Sequence, residues 1–165
     1  MPLLKDGRIT ADEWIEVRDD APLPDGAPAI VSLARWQRER TELARRTGRL
    51  CLRLPNNASV ADIAPDLGRF ELIALDFPKF SDGRAYSQAR LLRERHGFAG
   101  EIRATGAVLR DQLLFMQRCG IDAFIVRDEQ AAEAWRRASG EIGVFYQPTG
   151  DGRETVRALR RHAAG

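Results

Sequence analysis

From residue 28 onward the chain alternates short apolar runs with amphipathic stretches, and this alternation limits the fold more than any other feature. "PAIVSLA" precedes a helical pattern from about Trp36 to Thr47 that stops at Gly48. "RLCLRLP" precedes a short helix headed by Ser59, with Asp62 at its third position in the manner of a capping box. "ELIALDF" is the most apolar run, and the segment after it sets Ala85, Ala89 and Leu92 on one helical face before ending at Gly97. "EIRAT" leads into "VLRDQLLFMQRCG", with Leu109, Leu113 and Met116 at helical spacing and Gly120 as the stop. "DAFIVR" comes next, followed by a helix through Ala131, Ala134, Trp135 and Ala138. "GVFYQ" and a helix from about Arg153 to His162 complete the pattern.

Strand–helix units in such series predict an α/β fold, a mostly parallel sheet covered by helices. Two forms are open. One is a doubly wound, three-layer arrangement with helices on both faces; the alternative is a partial (βα) barrel. A complete eight-unit barrel needs about 200 residues or more, and the chain has 165, so the open doubly wound sheet is the first expectation. Residues 1–27 differ. "RITADEWIEV" reads as an extra strand or hairpin and "DDAPLPDGAP" as a connector, so residues 1–27 are expected to join residues 28–165 in one domain.

One strand breaks the rule for buried parallel strands, which are almost continuously apolar. "EIRAT" places Glu101, Arg103 and Thr105 at alternate positions. Either this strand lies at a sheet edge, or its polar side chains line a site; the second reading is preferred.

Composition narrows the functional classes. The 26 basic and 24 acidic residues leave a formal charge of +2, and no segment concentrates basic residues among stacking aromatics, which argues against a nucleic-acid partner. No apolar run reaches the length of a membrane span, and "MPLLKDGRITADEW" lacks the apolar core of a signal peptide; a cytoplasmic chain is expected. Cys51 and Cys119 belong to no CxxC pair and are expected as buried free thiols. No GxGxxG and no GxxxxGK[ST] follows any strand, so no cofactor is indicated by motif, and no metal ligand set is apparent.

Ligands of parallel α/β folds bind beyond the carboxyl ends of the strands. That rule selects Asp76, Lys79, Asp82 and Arg84 after the third apolar run, and Arg103, Thr105 and Asp111 around the fourth. Lys79, Arg84 and Arg103, together with helix N-termini near Gly83 and Gly106, would suit a small oxyanion. The plainer alternative is that Arg84 and Arg103 pair with Asp76, Asp82 or Asp111 in a network that holds the loops. Phe77 and Phe80 would pack beneath the loop or wall a pocket. Arg127, Asp128, Gln147 and Thr149 follow later strands. His96 reads as a helix-end residue and His162 as exposed.

Across residues 77–124 the elements "PKF", "DGRAYS", "ARLLRER", "GEIRATG", "LRDQL" and "RCGIDAF" occur in order. In these the chain resembles a bacterial domain-of-unknown-function family described as probable oxidoreductases of assimilatory sulfite reduction. Ala107 departs from that family, which often carries an acidic residue there; Asp111 is then the nearest acid. The resemblance implies an accessory protein or oxidoreductase of cysteine biosynthesis with a small-anion site at the strand ends. The alternative is a non-catalytic module docking on sulfite reductase or its electron donor through a basic helical face of Arg84, Arg90, Arg93 and Arg95.

Overall fold

The computed structural model describes residues 1–141, with side chains described through Arg137. The expected "GVFYQ" strand, the helix from Arg153 to His162, Gln147 and Thr149 lie outside the described residues. Eight strands form one sheet: β1 (Leu3–Lys5), β2 (Arg8–Thr10), β3 (Ile15–Glu16), β4 (Ala29–Ser32), β5 (Leu50–Leu54), β6 (Leu72–Phe77), β7 (Glu101–Gly106) and β8 (Ala123–Ile125). Their order is β2-β1-β8-β7-β6-β5-β4-β3. Strands β3 to β8 run parallel in unbroken sequence, whereas β1 is antiparallel to β8 and to β2.

This order decides between the two forms left open. Each crossover from β4 to β8 steps one strand in the same direction, and right-handed crossovers then place every connecting helix on the same side. The helices therefore cover one face rather than both, as in the partial barrel, and the sheet curls into a half barrel with the helices outside. The core confirms the side. Val31, Leu52, Leu54, Ile73, Leu75, Ile102, Ala104 and Phe124 cluster with Trp36, Leu43, Ala85, Ala89, Leu92, Leu113, Met116 and Ala131 from the helical layer. Residues of the other strand parity, Cys51, Leu72 and Ala74, form a separate small cluster with Trp14 and Ile30.

The helices are α1 (Leu33–Arg45), α2 (Arg84–Arg90), α3 (Leu113–Arg118) and α4 (Gln130–Glu141), with 3-10 turns at Val60–Asp62, Ala64–Arg69 and Arg110–Gln112. Helix α1 begins three residues before the expected Trp36 because the Ser32 hydroxyl accepts from the Arg35 N–H, a cap written inside the apolar run. Ser59 caps its short turn as expected, accepting from the Ala61 N–H. Helix α2 continues into a π-helical turn, Leu91–Arg95, and ends at Gly97 with φ +60°. The helix N-terminus expected near Gly106 does not form there. Gly106 has φ +91° and the Ala107 N–H donates to Phe77 O at 2.7 Å, so the chain turns tightly and the helix waits until Arg110. Strand β7 lies between β6 and β8, which overturns the edge reading of "EIRAT".

The N-terminal segment supplies both edges of the sheet. Strands β1 and β2 form a hairpin whose two turn residues, Asp6 and Gly7, have φ +50° and +72°; Asp-Gly is the pair that suits such a turn. Strand β3 then joins the opposite edge, beside β4. Only Ala11–Trp14 separate β2 from β3, so five Cα steps, about 18 Å at full extension, must link the two edges. Eight flat strands would set those edges about 34 Å apart. The link is possible only because the sheet curls, and the four residues run as a strap across its concave side.

Gly7 also meets α4: a Cβ there would lie 2.5 Å from the Trp135 ring. Gly7→Ala thus combines a positive φ with a clash, and it is expected to lower stability by about 1–3 kcal/mol, read as a shifted urea midpoint at unchanged slope.

Candidate functional site

The concave face is built by strand parity. Lateral pairing aligns Glu16, Ile30, Cys51, Leu72 and Glu101 in one row, and Ser32, Arg53, Ala74, Arg103 and Ala123 in the next. Asp76 and Thr105 pair directly one step further toward the strand ends. Alternation in β5 and β7 thus sends Leu52, Leu54, Ile102 and Ala104 to the helices and the polar residues to the hollow side. The small Ala74 and Ala123 flank Arg103 and leave room for its guanidinium.

Arg103 anchors the strap. It is 2% exposed, and a buried charge persists only when its donors are matched. Its Nη1 donates to both carboxylate oxygens of Asp12 at 3.0 and 2.9 Å, and its Nε to Glu101 Oε1 at 2.9 Å. Glu101 in turn accepts from Lys5 Nζ at 2.8 Å, and this bond holds the lysine above its ordinary pKa of 10.5. A raised lysine pKa contributes stability below its unfolded value and loses it only as pH climbs through the folded one, so the pair is intact across the neutral range. Trp14 lies against the Cys51 cluster, with the Arg49 guanidinium 4.9 Å from its ring.

The strap divides the concave side into two hollows that share Asp12, Trp14 and Arg103. The lower, about 400 Å³, lies at the strand starts by Leu72, Glu71, Glu101 and Arg49. The upper, about 420 Å³, lies toward the strand ends and is bounded by Ile30, Arg53, Ala74, Thr105, Gly106 and Ile125, with Glu16 and Met1 at its rim. The upper hollow is the candidate site, because parallel strands present their loops and chemistry at their carboxyl ends. Its polar side is a chain of contacts across four strands. Arg53 pairs with Glu16, its Nε donates to Asp76 Oδ1 at 3.1 Å, and the Thr105 hydroxyl reaches the same oxygen at 2.8 Å. Ile30, Ala74, Ile125 and Trp14 supply the apolar side.

The residues selected from sequence fall into separate places. Asp76, Arg103 and Thr105 come together on the concave side. Asp82 and Arg84 pair with each other at the start of α2, at 2.7 Å, and the guanidinium holds the Asp82 carboxyl well below the usual carboxylate range. Lys79 and Asp111 are exposed. The hollow that Arg103 borders is lined by neither Lys79 nor Arg84, so the three cations do not gather around it. The plainer reading holds for both arginines as ion-paired groups, although Arg103 takes Asp12 and Glu101 as partners. Phe77 packs in the core, edge-on to Tyr86, while Phe80 is 61% exposed. Arg93 leaves the expected basic face: it turns inward to the carbonyls of Phe98, Gly100 and Gly120 and to Asp122. Arg110 pairs with Asp128. Sequence reasoning missed Glu16, Trp14, Asp12 and Arg53. The signal for Arg53 was its parity with Cys51 in "RLCLRLP"; nothing local marks the other three.

Both cysteines are buried, and they form no disulfide with each other. Burial first, offset in part by the charge of Arg103, pushes the Cys51 thiol far up, and burial raises the Tyr86 hydroxyl to about 12. Among the described residues no group of three His, Cys, Asp or Glu side chains is placed to hold a metal ion, and no helix is long and apolar enough to cross a membrane.

The strap's role is measurable through Cys51. Asp12→Ala leaves Arg103 with one carboxylate, and the expected loss is about 1–3 kcal/mol in urea denaturation. Trp14→Ala, by uncovering the cluster, should raise the rate of Cys51 labelling by a thiol reagent in native buffer by at least about tenfold, with Cys51→Ser as the control. Unchanged labelling would mean that the strap does not cover that face.

No curated protein and no solved structure matches the chain. A protein-family comparison matches residues 51–157, from the start of β5 through α4 and beyond, to the family described as bacterial protein of unknown function (DUF934). The match includes the rows of β5, β6 and β7 that carry Arg53, Asp76, Arg103 and Thr105, and it extends on both sides of the motifs at 77–124. The chain belongs to this bacterial family.

Proposed function

We propose that the chain serves assimilatory sulfite reduction as an accessory protein, and that it works by binding at the upper hollow of its half barrel. The pathway rests on the resemblance of residues 77–124. The observation that carries the binding site is the concave face, which no described helix covers and where Arg103 and Thr105 meet Arg53, Glu16 and Trp14, with Asp76 bonded to Arg53 and Thr105. A sheet face without helices ordinarily exposes a polar surface; here it presents a concave, half-apolar hollow of the size that small ligands occupy. The test is genetic. Deletion should impair growth on sulfate or sulfite as sole sulfur source and spare growth on sulfide or cysteine. An Arg53→Gln, Trp14→Ala double variant should fail to restore it while remaining folded by circular dichroism. Equal growth on every source would remove the pathway, and full complementation by the variant would remove the hollow.

A second reading, docking on sulfite reductase or its electron donor, is favoured by a separate surface. Phe80, Leu91 and Phe115 are 61%, 39% and 47% exposed, Tyr86 stacks 5.0 Å from Phe115, and Gln112 donates to Phe80 O. Clustered exposed aromatics are the anchors that protein interfaces use. Phe80→Ser with Phe115→Ser should abolish co-purification with the reductase, and binding driven by these rings should persist at high salt. Co-purification that survives the double substitution rules this surface out.

A further inference from the structure

The charges around the upper hollow say more about its occupant than its size does. Its lining carries two guanidinium groups, Arg53 and Arg103, and two carboxylates, Asp12 and Glu16, and Asp76 pairs with Arg53 from beside it. Arg103 is spent: its Nη1 and Nε are held by Asp12 and Glu101, and it is almost fully buried. A doubly charged oxyanion would meet only the uncommitted edge of one arginine, with the Glu16 and Asp76 carboxylates beside it, and to engage both arginines it would have to evict acids. A simple cation would find carboxylates already neutralised. Arg53 is different. Its side chain is 37% exposed, its Nε and Nη1 are committed to Asp76 and Glu16, and its Nη2 donates to none of the described residues. Asp76 and Glu16 are themselves reachable, at 33% and 62% side-chain exposure. One free guanidinium edge therefore lies within a hydrogen bond of two accessible carboxylates, beside the apolar wall of Trp14, Ile30 and Ile125.

We infer that this hollow takes a small zwitterion of the amino-acid type, its carboxylate on Arg53, its ammonium between Asp76 and Glu16, and its apolar side chain against Trp14. The arrangement matches one charge of each sign without displacing any pair that holds the strap. A carboxylate meets the Arg53 edge as a charge-assisted acceptor, and an ammonium adds the third donor that the Asp76 carboxylate can still accept. The Thr105 hydroxyl, which borders the hollow, and Arg53 Nε share Asp76 Oδ1 and fix that carboxylate beside it.

This inference rests on the upper hollow being the working site, and the experiment separates the two. The full chain is titrated by calorimetry with L-methionine, N-acetylmethionine, methionine amide and sodium sulfate. Methionine is expected to bind, and each blocked derivative to bind about ten- to hundredfold more weakly, the cost of losing one charged hydrogen-bond partner. Arg53→Gln should weaken methionine by a similar factor while the variant stays folded by circular dichroism; sulfate should give no heat. Blocked derivatives that bind as well as methionine, or sulfate that binds more tightly, would overturn the zwitterion and leave the hollow as a binding site for another ligand. No heat from any of the four at about 10 mM, where even a fragment-sized ligand should register, combined with full genetic complementation by Arg53→Gln, would overturn both.

Discussion

The structure depends on a buried arginine and a short strap. Because β2 and β3 sit at opposite edges of the sheet and four residues join them, the sheet must curl until its edges come within reach. Asp12, in that strap, closes on Arg103 in the middle of β7. The guanidinium could not be buried on an uncovered sheet face without the strap's carboxylate. The strap would have no reason to lie across the hollow without the guanidinium. Each element supplies what the other lacks, and the curvature follows from their joining.

Curvature also explains why the two faces differ so sharply. The convex face is conventional: β-branched and leucine side chains of one parity pack under α1 to α4, with Trp36 and Phe70 edge-on at 4.7 Å. The concave face has no helical cover among the described residues and carries charges on the alternate parity. These charges are ordered into chains, Glu16–Arg53–Asp76–Thr105 above the strap and Asp12–Arg103–Glu101–Lys5 beside it. The charged side chains that line the upper hollow are balanced, Arg53 and Arg103 against Asp12 and Glu16. Lys79 and Arg84, expected to gather with Arg103 around a small oxyanion, are not part of that lining.

Legibility followed contact range. Strands β4, β5, β6 and β8 were plain because their apolar runs are local and their helices are short-range crossovers. The glycine stops at Gly97 and Gly120 were equally plain, since each is a single-residue backbone requirement, with φ +60° and +97°. The strand-end rule selected Asp76, Arg103 and Thr105, which the fold brings to the concave side, and "EIRAT" is an inner strand between β6 and β8. Asp12, Trp14 and Glu16 were not found, because Asp12 reaches Arg103 across 91 positions of sequence and nothing in "TADEWIE" hints at it. The hairpin itself turns at Asp6 and Gly7, whereas "RITADEWIEV", read as an extra strand or hairpin, divides into β2 and β3 at opposite edges.

By itself the sequence determined the βα alternation, the strand parity of "RLCLRLP" and "EIRAT", the burial of both cysteines and the family to which residues 51–157 belong. These are properties of neighbouring residues, and side-chain period and backbone preference write them locally. Tertiary structure alone decided that the described helices share one face, that Arg103 turns to Asp12, and that Arg53 and Glu16 enter the hollow. Those outcomes depend on how far a curled sheet brings distant edges together, a distance that no local pattern encodes.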